Sequence, residues 1–205
     1  MPSISLKSLA RSALILLSMS LVSCRETQVV SLTKDPGYNA KDMRRVLVIA
    51  VVRKPATQRL LEDAFAENLK KRHSEAVASY TLVREGEVID EAGWKRLVAD
   101  NHFDAVIVSR LIDLNVVEKD VDPKYITGPS SNATGYGYYS SSYRVVYQPG
   151  FTLREETAVI ETRVYDAAGD KQVWSAHSKT NIVQGRDPEA QVRDFVHHMM
   201  KKIYG

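Results

Sequence analysis

The chain has 205 residues, with 28 Lys and Arg against 25 Asp and Glu, a formal charge of +3, and a single cysteine. That near-balance gives no electrostatic footprint for nucleic acid, so no nucleic-acid partner is expected. One cysteine excludes a disulfide framework and a cysteine-built metal site.

Residues 1–23 have the form of an export signal. Lys7 and Arg11 make a basic start, no acidic residue follows before Cys24, and Ala13-Leu14-Ile15-Leu16-Leu17 begins an apolar core running to Val22. The core is shorter than the roughly 20 apolar residues that span a bilayer. Removing this segment leaves 182 residues and, with two basic residues gone, a formal charge of +1. That length suits one domain with a core that needs no disulfides.

Residues 24–42 are polar, with Asp35-Pro36-Gly37 as a turn signal, and are expected to form a tether before the domain. Val46-Leu47-Val48-Ile49-Ala50-Val51-Val52 is a β-branched apolar run, as in a strand buried on both faces. A helix is expected from about Thr57, with Leu60, Leu61, Ala64, Phe65 and Leu69 as its apolar stripe. A second strand fits residues 76–83. Asp90 is placed to cap the next helix, with Ile89 and Trp94 as a hydrophobic staple. The third strand starts at Ala105-Val106-Ile107-Val108 and continues toward Val117.

Residues 122–142 break this pattern. Gly135-Tyr136-Gly137-Tyr138-Tyr139 and Tyr143 stand among serines and lack the aliphatic side chains of a core. Such a loop is either a surface insertion or a contact loop. Tyrosines offer contact area at low entropic cost, so Tyr136, Tyr138, Tyr139 and Tyr143 are the candidate partner-binding residues.

From Glu156 onward, Ala158, Ile160, Thr162 and Val164 alternate on one strand face. Ala167-Ala168-Gly169 is expected to turn the chain, with Gly169 left-handed, Asp166 opposite Asp170 and Thr162 opposite Trp174. The other face then carries Glu161, Arg163, Ser175, His177 and Lys179. Asp187-Pro188 starts a last helix whose stripe is Val192, Phe195, Val196, Met199 and Ile203. The fold class is therefore α/β: a mixed β-sheet built from a β-α-β-α-β unit, followed by a long β-hairpin and a C-terminal helix, over residues 43–205.

No reaction is written in the chain. His73, His102, His177, His197 and His198 have no metal-motif spacing, so no metal or cofactor is expected. Glu118, Asp120 and Asp122 alternate but lack the glycine and spacing of a calcium loop, and read as a solvated acidic edge. Ser79, Ser109 and His177 supply the residue types of a nucleophile and base without a recognisable motif. The expectation is a non-enzyme.

Leu21-Val22-Ser23-Cys24 resembles the lipobox of bacterial lipoproteins. The resemblance implies a diacylglycerol thioether at Cys24, cleavage before it and acylation, palmitate-type, of the new amine. Several acyl chains hold a protein where one is marginal. The membrane is then a partner through the lipid. Arg25, in place of aspartate, implies the periplasmic face of the outer membrane in a cell that has one.

The element order resembles small periplasmic α/β modules: lipoprotein activators of cell-wall synthases, the curli-secretion lipoprotein and the N-terminal domain of the Tol translocation protein. Ser79-Tyr80, Asp104-Ala105, Glu161-Thr162-Arg163-Val164-Tyr165-Asp166 and Val173-Trp174-Ser175 resemble a group of uncharacterised bacterial lipoproteins. These resemblances imply an accessory or binding module that contacts an envelope protein or glycan. The alternatives are a structural subunit of an envelope assembly and a cryptic hydrolase.

Overall fold

The computed structural model describes residues 27–126 and 146–205. Cys24 and the candidates Tyr136, Tyr138, Tyr139 and Tyr143 lie outside them. Among the described residues no helix is long and apolar enough to cross a membrane.

The architecture is α/β, with a six-stranded mixed sheet. Its strands are β1 (Thr27–Lys34), β2 (Arg45–Val51), β3 (Glu75–Ala78), β4 (Ala105–Val121), β7 (Phe151–Asp166) and β8 (Lys171–Ile182), in the order β1-β8-β7-β4-β2-β3. β5 (Lys124–Ile126) and β6 (Val146–Gln148) form a separate antiparallel pair. The helices are α1 (Pro55–Lys70), α2 (Glu91–Asp100) and α3 (Pro188–Tyr204).

β2 runs parallel to both β3 and β4, so the expected β-α-β-α-β unit is present. β7 then pairs antiparallel with β4, and β8 with β7. β3 and β4 flank β2 on opposite sides, so the two crossovers run in opposite lateral directions. Right-handed connections then place α1 and α2 on opposite faces of the sheet.

The core lies on the α1 face. Val46, Val48, Ile107, Val164 and Trp174 of the sheet cluster with Phe65 and Leu69 of α1 and with Phe195, Val196, Met199 and Ile203 of α3. The 3.6-residue and 2-residue periods meet there, as the stripes in the sequence require. Leu47 is fully buried but points the other way, toward the α2 side. Lys95 of α2 reaches Asp170 in the β7–β8 turn.

Several sequence expectations shift. Residues 27–42 are not a tether: residues 27–34 form edge strand β1, antiparallel to β8, and Ala40 and Met43 are buried in the core. α1 begins at Pro55 rather than Thr57, with proline in the first turn. β3 ends at Ala78, because residues 79–81 curl into a 3-10 turn. Asp90 and Asp187 cap α2 and α3 as expected, accepting from Gly93 N and from Glu189 N and Ala190 N.

The hairpin register also moves. Asp166 faces Lys171, and a bulge between Val164 and Tyr165 puts Thr162 opposite Ala176 rather than Trp174. The left-handed turn residue is Asp170, not Gly169. The longer turn and the bulge together shift the register by two residues. An even shift leaves every side chain on its expected face.

Beyond Arg110 the neighbouring strand β2 stops, while β4 runs on for 11 residues beside β7. A bulge at Ile112 marks the change. Residues 117–121 and 151–155 pair only with each other, past the end of β8. This two-stranded arm is about 17 Å long at the usual strand rise. Gly150 stands where the arm passes into β5 and β6, and a Cβ there would meet the Val121 carbonyl at 2.9 Å.

Candidate functional site

The face opposite α1 and α3 carries one row of polar side chains across four strands. Arg110 of β4 lies opposite Glu161 of β7, Glu161 opposite His177 of β8, and His177 opposite Ser31 of β1. Cross-strand neighbours on one face are close enough to bond directly.

Glu161 is the centre. Its side chain is only 6% exposed, while Arg110, Arg163 and His177 around it are 53%, 39% and 45% exposed. Arg163 Nη2 donates to Glu161 Oε1 at 2.6 Å and Arg110 Nη2 to Oε2 at 3.1 Å. His177 Nε2 lies 3.2 Å from Oε1, and its Nδ1 lies 3.0 Å from Ser31 Oγ. The Arg163 hydrogen bond holds the Glu161 carboxyl below its ordinary value against the opposing effect of burial, with Arg163, Arg110 and His177 charges adding to it. A hollow of about 380 Å³ beside the row is lined by Val108, Arg110, Glu161, Arg163 and Tyr165.

Ser31, His177 and Glu161 thus have the connectivity of a nucleophile, base and acid. The surroundings do not match the chemistry. Glu161 is already shared between two guanidinium groups. The backbone N–H groups of a sheet lie in its plane, so none is aimed over the face where an acyl oxyanion would form. One carboxylate between two guanidinium groups leaves the cluster with a net positive charge on this face.

A second constellation is buried. Glu62 of α1 is fully buried and accepts from Ala50 N at 2.9 Å, Gln58 Nε2 at 3.0 Å, Ser79 Oγ at 2.7 Å and Tyr80 N at 3.0 Å. It joins α1 to the C-terminal ends of β2 and β3, where open α/β sheets often bind ligands. Here four donors from the chain itself occupy the carboxylate, so it latches the fold.

The candidate nucleophiles are dispersed. Ser79 is engaged by Glu62, and Ser109 is buried against Thr162 at 3.4 Å. Neither meets His177. His73 and His102 have positive φ and end α1 and α2. Ser74 N bonds back to Leu69 O and Phe103 N to Val98 O, so both histidines occupy the left-handed closing position that glycine usually takes. Among the described residues no group of three His, Cys, Asp or Glu is placed to hold a metal. Glu118 and Asp120 share one arm face, with Asp120 accepting from Thr152 Oγ1 at 2.8 Å.

The sequence placed Glu161, Arg163 and His177 on one face. It missed Arg110 and Ser31, because strand order decides which distant strands stand beside the hairpin. The one signal was arginine after the buried run of residues 105–109, an out-facing cation at a position where the sheet is still five strands wide.

No family model and no curated protein matches the sequence. Among solved structures, the chain is similar to the PelC dodecamer from Paraburkholderia phytofirmans. The likeness covers 87% of this chain and 98% of that one, at 11% identity and a TM-score of 0.50. A variant of the same dodecamer in another crystal form gives 10% identity, 87% and 99% coverage and a TM-score of 0.50. Lipoprotein GNA1162 from Neisseria meningitidis is matched over 78% of this chain and 97% of that one, at 10% identity and a TM-score of 0.45. At such identities the likeness to PelC shows a shared fold.

Proposed function

We propose that this protein is a lipid-anchored envelope lipoprotein that acts as a non-catalytic accessory module. The observation that carries this reading is the internal pairing of its most chemistry-like residues. Glu161 is held by two arginines and His177, and Glu62 by four donors of the chain itself. What is left to the outside is a firm, charged surface of the kind that recognises a partner. Cys24 carries the lipid, and the domain works at the periplasmic face of the outer membrane.

The test is an organophosphonate probe for activated serines on the full chain. No labelling at Ser31 is expected, and labelling of the wild-type chain that Ser31→Ala abolishes would replace this reading with a hydrolase. Lipidation is read separately by metabolic incorporation of labelled palmitate, which Cys24→Ala should abolish.

A second reading, a subunit of a homo-oligomeric envelope assembly, is favoured by the shared fold with a protein whose structure is a dodecamer. Native mass spectrometry of the lipidated chain in mild detergent separates the two. A single defined multiple of the protomer supports the assembly, and a monomer supports the accessory module alone.

A further inference from the structure

The arm and the anchor leave the domain at the same end. Thr27 pairs with Thr180, Thr180 with Ala158, and Ala158 with Leu114, so these four residues form one row across the sheet. β1 runs from Thr27 away from the arm, so the chain before Thr27 starts on the arm's side. Cys24 is three residues before Thr27, a reach of at most about 11 Å. From the same row β4 continues seven residues to Val121, about 24 Å at the usual strand rise. An arm that projects farther than the leash is long can reach the surface that holds the lipid.

The arm is amphipathic in a way that fits such a meeting. Its face continuous with the open side of the sheet carries Val117, Val121, Phe151 and Leu153. Val117, Phe151 and Leu153 are 49%, 50% and 42% exposed, with no described element over them. The two charges among them, Lys119 and Glu155, pair with each other at 3.4 Å. The opposite face of residues 117–121 and 151–155 holds Glu118, Asp120, Thr152 and Arg154, all polar, with Val116, 41% exposed, only at its base. A ribbon with one mainly apolar face, whose only charges pair with each other, and one polar face has the pattern of an element lying in a membrane interface.

We infer that the arm is a second membrane contact: its Val117, Val121, Phe151 and Leu153 face lies in the headgroup–acyl boundary of the membrane that holds the lipid on Cys24. This rests on the lipidation of Cys24. The lipid supplies the attachment and the arm fixes the orientation. The open face with Glu161 is then held at a set angle to the bilayer, instead of sweeping through all angles on a flexible leash.

The chain offers a clean test, because Cys24 is its only cysteine and carries the lipid in the mature form. Single variants Val117→Cys, Leu153→Cys, Glu118→Cys and Ser175→Cys are made in the full lipidated chain and labelled with an environment-sensitive fluorophore. They are reconstituted in phosphatidylethanolamine–phosphatidylglycerol vesicles containing nitroxide-labelled lipid. Quenching at positions 117 and 153 should be at least about twofold stronger than at 118, on the other face of the arm, and at 175, near the far end of the sheet. Equal quenching at all four positions overturns the proposal. A blue-shifted emission at 153 without nitroxide quenching also overturns it, by placing a second copy of the chain on the arm. A chain that stays off the vesicles and takes a second label at Cys24 overturns the lipidation and the proposal with it.

Discussion

β4 and β7 live in two different worlds along one ladder. Before the Ile112 bulge, β4 places Ala105, Ile107 and Ser109 in a dry interior against two helices. After it, the same strand exposes Leu114, Val116 and Val117, and its partner exposes Phe151 and Leu153. The backbone hydrogen bonds are of one kind throughout. The difference teaches that pairing alone does not require burial: the inner half is fixed by packing, the outer half by the ladder and a few cross-strand pairs.

The sharpest way to break that comparison is to truncate an aromatic residue in each half. Trp174 is 1% exposed and sits among the core side chains, so Trp174→Ala should cost about 3–5 kcal/mol in chemical denaturation. Phe151 is half exposed, so the arm's truncation belongs at the other end of the scale. Next comes the latch behind the parallel strands. Glu62→Ala leaves the Ala50 and Tyr80 N–H groups unpaired in a buried place and should cost about 3 kcal/mol, read as a lower denaturation midpoint at unchanged slope.

The open face should respond less. Glu161→Gln removes a charge-assisted bond to each arginine and should cost about 1–2 kcal/mol at neutral pH. Its pH dependence is the stricter check. The folded carboxyl lies below its ordinary value of 4.5, so the stabilisation is complete above that value and fades as pH falls through the lowered one. The gap between wild type and Glu161→Gln should therefore be flat from neutrality to about pH 5 and close in acid; a gap that widens there would contradict the network. Smallest of all, Phe151→Ala should change stability by less than about 0.5 kcal/mol. A larger loss would mean that the arm is packed against something in the protein itself.

Much of the layered half was legible in the sequence. Buried β-branched runs gave β2 and β4, and the 3.6-residue stripes gave α1 and α3. Aspartates gave the starts of α2 and α3. Two things were hidden for physical reasons. Thr27–Lys34 carries only a short polar-apolar mixture, since an edge strand buries little and needs no strong pattern. The Glu161 network depends on β4 and β1 standing on either side of the hairpin, a matter of tertiary pairing that local periodicity does not encode. The hairpin shows the reverse lesson. Its register moved by two residues, yet Glu161, Arg163 and His177 kept their face, because hydrophobic alternation fixes the face more strongly than the exact partner.

The pairing of β1 with β8 also sets an order of events. Thr27 meets Thr180 across 153 residues of chain. Contacts so distant in sequence form late, since a long loop must close first. Until Lys171–Ile182 is in place, Thr27–Lys34 has no strand to join. The outer edge of the sheet therefore closes last, although it lies first in the described chain.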